Sequence, residues 1–419
     1  MRVWATLLGV LGLFSVVQAQ SALSALLGHP AVRSALAFIE REDEQTLRVQ
    51  AALTEIPAPP FGEARRAAAF ADSLRRLGLQ EVHIDEEGNV VGFLRGRSAR
   101  PLVVLSAHLD TVFPEDTDVR VRRSGNRLEA PGIADDGRGL AVIWMVAKAI
   151  QEARIPLEGT LAIVGTVGEE GIGDLRGVKY LFYRSPLRGQ IDYFISVDGA
   201  GLGSLTHQAL GSKRFRVTFR GPGGHSWGAF GTVNPIHALG RAVARIAEMP
   251  VPAQPRTTYN VGRIGGGTSV NSIAYEAWME IDLRSESPQA LAEAEAHLRR
   301  YIQQAVEEEN AYWPRSRGRI EAEITVIGDR PSGEIPADHP IVRAAAEVIT
   351  HLGASPRLGR GSTDANIPIA LGIPAVTIGG GGRGGNAHAL DEWYENDRGH
   401  LGVQQALLLA LRLVGVVGR

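Results

Sequence analysis

LVVLSAHLD, residues 102–110, is an apolar run of strand length that ends in a histidine and an aspartate two residues apart. A strand apolar on both faces belongs inside a sheet covered by helices. Similar runs recur at residues 160–166, 191–197 and 375–378, with helical periodicity between them at 139–151 and 177–183. The alternation predicts an α/β domain with a mostly parallel sheet, whose ligand chemistry gathers where strands end. A helical stretch at 31–55, a proline-rich turn at 56–63, a helix at 64–77 and short strands at 81–85 and 89–94 open this domain.

The character changes between residues 212 and 329. Strands at 214–219, 257–261, 274–283 and 320–327 mix with long helices at 234–248 and 288–309. Their order, strand-helix-strand-strand-helix-strand, predicts a ferredoxin-like α+β domain inserted at 212–329. The first domain is then discontinuous, residues 20–211 plus 330–419. At the N-terminus, Arg2 precedes an apolar run at 3–17, and Ala19 offers a small residue for cleavage. About fifteen apolar residues are too few for a membrane span, which needs about twenty. Residues 1–19 are therefore expected to be an export signal, and the mature chain periplasmic or secreted without stable membrane insertion.

With 44 basic and 46 acidic residues the formal net charge is -2, which gives no footprint for nucleic acid or an anionic membrane. The chain has no cysteine, so disulfides, thiolate metal ligands and a cysteine nucleophile are excluded. A transition metal must be held by histidine and carboxylates, which suits zinc, cobalt or manganese.

Against that background the strand ends stand out. In His108-Leu-Asp110 the acid can hydrogen-bond the imidazole and fix which nitrogen faces a metal, although the pair suits an ordinary strand end too. Asp135-Asp136 opens a helix amid glycines, as a cap or as a bridge between cations. Glu169-Glu170 follows the apolar strand at 160–166, where two adjacent acids repel unless a cation or proton compensates. Asp198 ends the strand at 191–197, and His388 follows a glycine-rich, mobile-looking loop at 379–385. That loop lacks the spacing of a nucleotide cradle.

Taken together, His108-x-Asp110, Asp135, Glu169-Glu170, Asp198 and His388 resemble the metal-ligand series of the M20 metallopeptidase family, over nearly the whole chain from residue 56. The resemblance implies two divalent ions, zinc first with cobalt or manganese as alternatives. Asp135 would bridge them, His108 and Asp198 completing one site and Glu170 and His388 the other. Asp110 would orient His108, and Glu169 would be the general base for a hydroxide held by the metals. In the inserted domain, a lid and dimerisation domain in this family, Gly221-Pro222-Gly223-Gly224-His225-Ser226 resembles the segment whose histidine reaches the active site. Asn271 and Arg284, with Ser362 and Thr363 in the catalytic domain, match substrate-binding positions.

An aspartate in the place of Asp198 is similar to the aminopeptidase and tripeptidase-like members. The resemblance therefore implies an exported exopeptidase for short peptides, working as a homodimer. An M20-type carboxypeptidase or N-acyl amino-acid amidohydrolase is the alternative. A non-catalytic peptide-binding homologue stands further off, since a binder has no need of Glu169. The export signal departs from most peptide-trimming relatives and leaves the natural substrate open.

Overall fold

The computed structural model describes residues 22–418, so the expected export signal lies outside the described residues. Contacts divide the described residues into two compact units, one of residues 22–208 with 334–418 and the other of Ala209–Gly333. Among the described residues, no single helix is long and apolar enough to cross a membrane.

The first unit is built on a nine-stranded sheet. Its centre is four parallel strands in the order Thr160–Thr166, Leu102–His108, Tyr193–Val197, Ala375–Ile378. Antiparallel strands flank them, Val90–Leu94 and Gln80–Ile84 on one side and Ser204–Ala209 on the other. The expected α/β fold with a mostly parallel sheet is what forms. The reason lies in the residues: every position of Leu102–His108 and Thr160–Thr166 is buried, and helix Gly137–Ala153 is almost wholly buried beside them.

Register decides where the chemistry gathers. His108 pairs with Thr166, Ser106 with Ser196, and Ile378 with Val197. All four parallel strands therefore end at one edge, and the residues that follow, Glu169, Glu170, Asp198 and the loop to His388, emerge there.

Buried cations tie the surrounding segments to this edge. Arg66, on helix Ala64–Arg76, is wholly buried and donates to the carbonyls of Thr54, Ile56 and Leu109, the last at 2.8 Å. Arg138 donates to the carbonyls of Gly380 and Gly399 and to Gln50. Each links the site to a segment distant in sequence.

Three expectations change. The helical stretch at 31–55 is two helices, Pro30–Arg41 and Asp43–Thr54, broken at Glu42. A small antiparallel sheet, Arg122–Ser124, Arg127–Glu129, Trp393–Glu395 and Arg383–Gly385, has no counterpart in the pattern reading. The glycine-rich loop is closely packed rather than open: a Cβ on Gly381 would lie 2.6 Å from the Gly402 nitrogen, so its glycine allows two backbones to approach.

The second unit is a four-stranded antiparallel sheet, ordered Thr257–Gly266, Glu276–Ser285, Gly211–Arg220, Glu321–Arg330. In chain order that is 2-3-1-4, the ferredoxin-like arrangement. Residues alternate along Glu276–Ser285: Ala277, Met279, Ile281 and Leu283 pack with helices Pro235–Ala247 and Pro288–Tyr312 in one core. The opposite face carries ion pairs such as Arg216 with Glu280 and Arg214 with Asp282.

Candidate metal centre

Four of the expected ligands meet directly. The Asp135 carboxylate faces two imidazoles, with Oδ1 2.9 Å from His108 Nε2 and Oδ2 3.2 Å from His388 Nε2. His388 Nε2 also lies 2.8 Å from Glu170 Oε1. One ligand atom each from His108, Asp135 and Glu170 falls within 4.8 Å of the others, as does one each from His108, Asp136 and Asp198. His388 holds a left-handed backbone, φ 67°, an unusual cost for a residue with a side chain.

Asp110 works differently from its expected role. The carbonyl oxygen of Asp110 lies 3.0 Å from His108 Nδ1, whereas its carboxylate is 3.7 Å away, too long for a hydrogen bond. A carbonyl only accepts, so Nδ1 carries a proton and Nε2 is the atom turned toward Asp135. The Asp110 carboxylate instead accepts the backbone N–H groups of Glu169, at 3.0 Å, and Glu170, at 2.8 Å. One residue thus holds both His108 and the Glu169-Glu170 loop.

Asp136, half of the tandem acid that the sequence offers as a cap or a bridge between cations, does more than cap. Its carboxylate accepts from Gly139 in the first turn of the helix, from His108 and from Gly199. The last two belong to the segments bearing His108 and Asp198, so this buried acid fixes their spacing. A tandem acid at a helix start is the sequence signal for it.

The electrostatics describe acids crowded together without enough positive charge. Burial, then the charge of Asp135, pushes the Asp198 carboxyl up to about 7 and raises Glu170 as well. Burial also raises Asp136 well above the usual carboxylate range. Burial opposes ionisation of Asp135 too, but hydrogen bonds from His108 and His388 outweigh it and hold that carboxyl low. The same bonds work on the imidazoles. The Asp135 contact lifts His388 to about 9, and His108 rises well above its ordinary value despite burial, through the negative charge of the nearby Asp110 carboxylate and its contact with Asp135.

Divalent cations fit this donor set. Histidine nitrogens and carboxylate oxygens suit zinc, cobalt and manganese, and positive charge here would relieve the repulsion that raises Asp198 and Glu170. Ligands must be deprotonated to bind a cation, so binding at pH 7 is expected to expel protons from the imidazoles, with a contribution from Asp198. The release should shrink as pH rises through about 9, where His388 is already neutral in the metal-free protein. Calorimetric titration of zinc in two buffers of different ionisation enthalpy measures this release; zinc uptake at pH 7 without proton release would contradict the assigned protonation states.

In the first unit, the Thr363 hydroxyl lies 2.8 Å from that of Thr377 and accepts from Ala365 N–H, while Thr166 donates to Asp364 at 2.5 Å. Ser362 sits in the same turn after strand Arg357–Gly361. In the second unit, the pairing of Gly224–His225 with Ser272–Ile273 brings His225 beside Asn271, whose carbonyl accepts from Ser226 N–H at 3.0 Å. His225 Nδ1 accepts from the N–H groups of Trp227 and Gly228, which leaves Nε2 as the protonated, outward-facing nitrogen. Arg284 is not with them. It lies toward the far end of strand Glu276–Ser285, roughly 27 Å along at the usual rise per residue, and pairs with Asp282 at 2.7 Å.

Known proteins resemble this chain over most of its length. The model of peptidase family M20/M25/M40 matches residues 104–412. YqjE of Bacillus subtilis is 29% identical over 300 residues, 70% of this chain and 76% of that protein. Succinyl-diaminopimelate desuccinylase of Corynebacterium glutamicum is 25% identical over 341 residues, 78% and 86% of the two chains. Among solved structures, aminopeptidase PepT of Bacillus cereus superposes with a TM-score of 0.70 at 21% identity, covering 89% of this chain and 99% of that one. A Staphylococcus aureus tripeptidase gives 0.71 at 24% identity, covering 87% and 97%. With most of its length matched by the family model and its strand ends carrying the acids and histidines described above, the chain belongs to peptidase family M20/M25/M40 and is a hydrolase.

Proposed function

We propose that this hydrolase is an exported, two-metal aminopeptidase of the tripeptidase type, acting on short peptides with a free amino end. The observation that carries the reading is the shared Asp135 carboxylate, one oxygen toward each imidazole, with Glu169 beside Glu170 on the same buried loop. His108, Asp135 and Asp198 would hold one cation, and Asp135, Glu170 and His388 the other. Zinc is the leading candidate, with cobalt and manganese next.

When bound, such cations lower the pKa of water from about 15.7 to about 7 and polarise a carbonyl. Glu169 takes the proton of the attacking water and returns it to the leaving amine, as general base and then general acid. Asp110, by accepting the Glu169 and Glu170 N–H groups, fixes the base relative to the ligand beside it. His225 presents an Nε2–H suited to a developing oxyanion, and Asn271 lies next to it for substrate contact. Arg284, Ser362 and Thr363 are assigned to substrate by resemblance alone, and so is the homodimer through the second unit.

Export is supported by Arg2 and the apolar run at 3–17. The aminopeptidase reading is supported by Asp198, where carboxypeptidases and deacylases of the family usually carry glutamate. A second reading, hydrolysis of an N-acyl bond, is favoured by the desuccinylase relative. Rates on free di- and tripeptides, beside the same peptides N-acylated, separate the two. Turnover of the free peptides is expected, and turnover of the acylated set alone would replace the first reading with the second.

A further inference from the structure

Glu392 lies four residues beyond His388 and is wholly buried. Burying a carboxylate without a cationic partner is costly, and among the described residues none pairs with it, so an acid here needs a reason. The reason is a set of three backbone donors. Oε1 accepts from Ala134 N–H at 2.8 Å and Asp135 N–H at 2.9 Å, and Oε2 accepts from Gly132 N–H at 3.0 Å. The main chains are joined as well: Ala130 N–H donates to the Glu392 carbonyl at 3.1 Å, and Trp393 pairs with Glu129.

Segments 129–135 and 388–393 are therefore clamped together, and the clamp carries one expected ligand on each side, Asp135 and His388, whose side chains meet at 3.2 Å. Gly132 takes a left-handed turn, φ 77°, with Thr111 only 2.7 Å from where a Cβ would stand. That turn aims its neighbours' N–H groups inward, where only an acceptor-only side chain serves all three. A glutamine in the same place would turn N–H against N–H.

We propose that Glu392 is a positioning residue for the metal centre, acting through the 132–135 backbone to fix the Asp135 carboxylate where both imidazoles share it. The proposal rests on the reading of Asp135 and His388 as ligands. It differs from a general stabilising role because the three donors belong to the loop that presents one ligand, while the acceptor belongs to the segment that presents another.

The test uses the metal-free full chain, titrated with Co2+ and followed by visible absorption, alongside thermal unfolding of the same metal-free proteins. Glu392→Gln is expected to weaken Co2+ binding by about 10–100-fold, the usual effect of losing a group that orients a ligand. Glu392→Asp, which keeps an acceptor-only group, should fall between it and wild type. Glu309→Gln is the control: Glu309 is another wholly buried acid that accepts a backbone N–H, from Asn234 in the second unit. It should lower the unfolding temperature and leave Co2+ affinity unchanged.

Wild-type affinity in Glu392→Gln, or an equal loss in Glu309→Gln, would overturn the proposal. If Glu392→Gln does not fold, Glu392→Asp carries the test, with a smaller loss expected and wild-type affinity overturning it. Failure of the underlying reading looks different, for then wild type itself takes up no Co2+, or Asp135→Ala binds it as wild type does.

Discussion

Glu169→Gln is expected to keep its metal complement and lose about 10²–10⁴ in kcat, the range a positioned general acid or base supplies. At about 1.4 kcal/mol per tenfold, that is roughly 3–5 kcal/mol of the barrier. The reasoning is geometric. Glu169 is buried beside Glu170, whose carboxylate contacts His388, and Asp110 holds the two backbones at fixed spacing. Glutamine keeps the size and the backbone contacts but cannot take a proton. KM and metal content should stay near wild type, and elemental analysis beside steady-state rates reads both. Normal kcat would remove Glu169 as the base, and loss of metal would make it a ligand instead.

Asp135→Ala should have the larger effect on metal. Each Asp135 oxygen faces a different imidazole, so its removal leaves His108 and His388 without their common partner. Groups that merely orient ligands cost 10–100-fold in affinity when lost, and a shared ligand must cost more than about 100-fold, at both sites together. His388→Ala, by contrast, should empty one site. The contrast between the two variants, measured by equilibrium dialysis and elemental analysis, distinguishes a shared carboxylate from two independent sites. Equal losses in both variants would count against bridging by Asp135.

Much of the catalytic fold was legible because strands buried on both faces have no polar alternation. The runs at 102–106, 160–166 and 375–378 could be read as central parallel strands on that ground alone, and the residues closing them followed. The ferredoxin-like order was equally plain, since its strands alternate and its helices are long. The small sheet around Arg122–Ser124 was not, because exposed arginine-rich strands of three residues carry no periodic signal. Nor was the break at Glu42, where no proline or glycine marks it.

The site shows the same division. Three expected ligands, His108, Glu170 and Asp198, close or follow apolar strands, where an acid or histidine is conspicuous. Asp110 was noticed as the partner of His108, but sequence spacing cannot say that its carbonyl reaches the imidazole while its carboxylate accepts from Glu169 and Glu170. Asp136 and Glu392 act through backbone N–H groups brought close only by the fold, Glu392 across about 260 residues of chain. Arg284 sits apart from His225 for a related reason: His225 is on the short strand paired with Ser272–Ile273, while Arg284 is near the far end of Glu276–Ser285.

On the proposed reading, Asp135 shares a pair of cations that hydrolysis requires. Titrating zinc into chelator-treated protein, with bound metal and tripeptide turnover measured on the same samples, tests it directly. No turnover is expected in the metal-free protein, with a rise to a plateau at two equivalents per chain. Full turnover after complete metal removal, or saturation with no zinc bound, would contradict it.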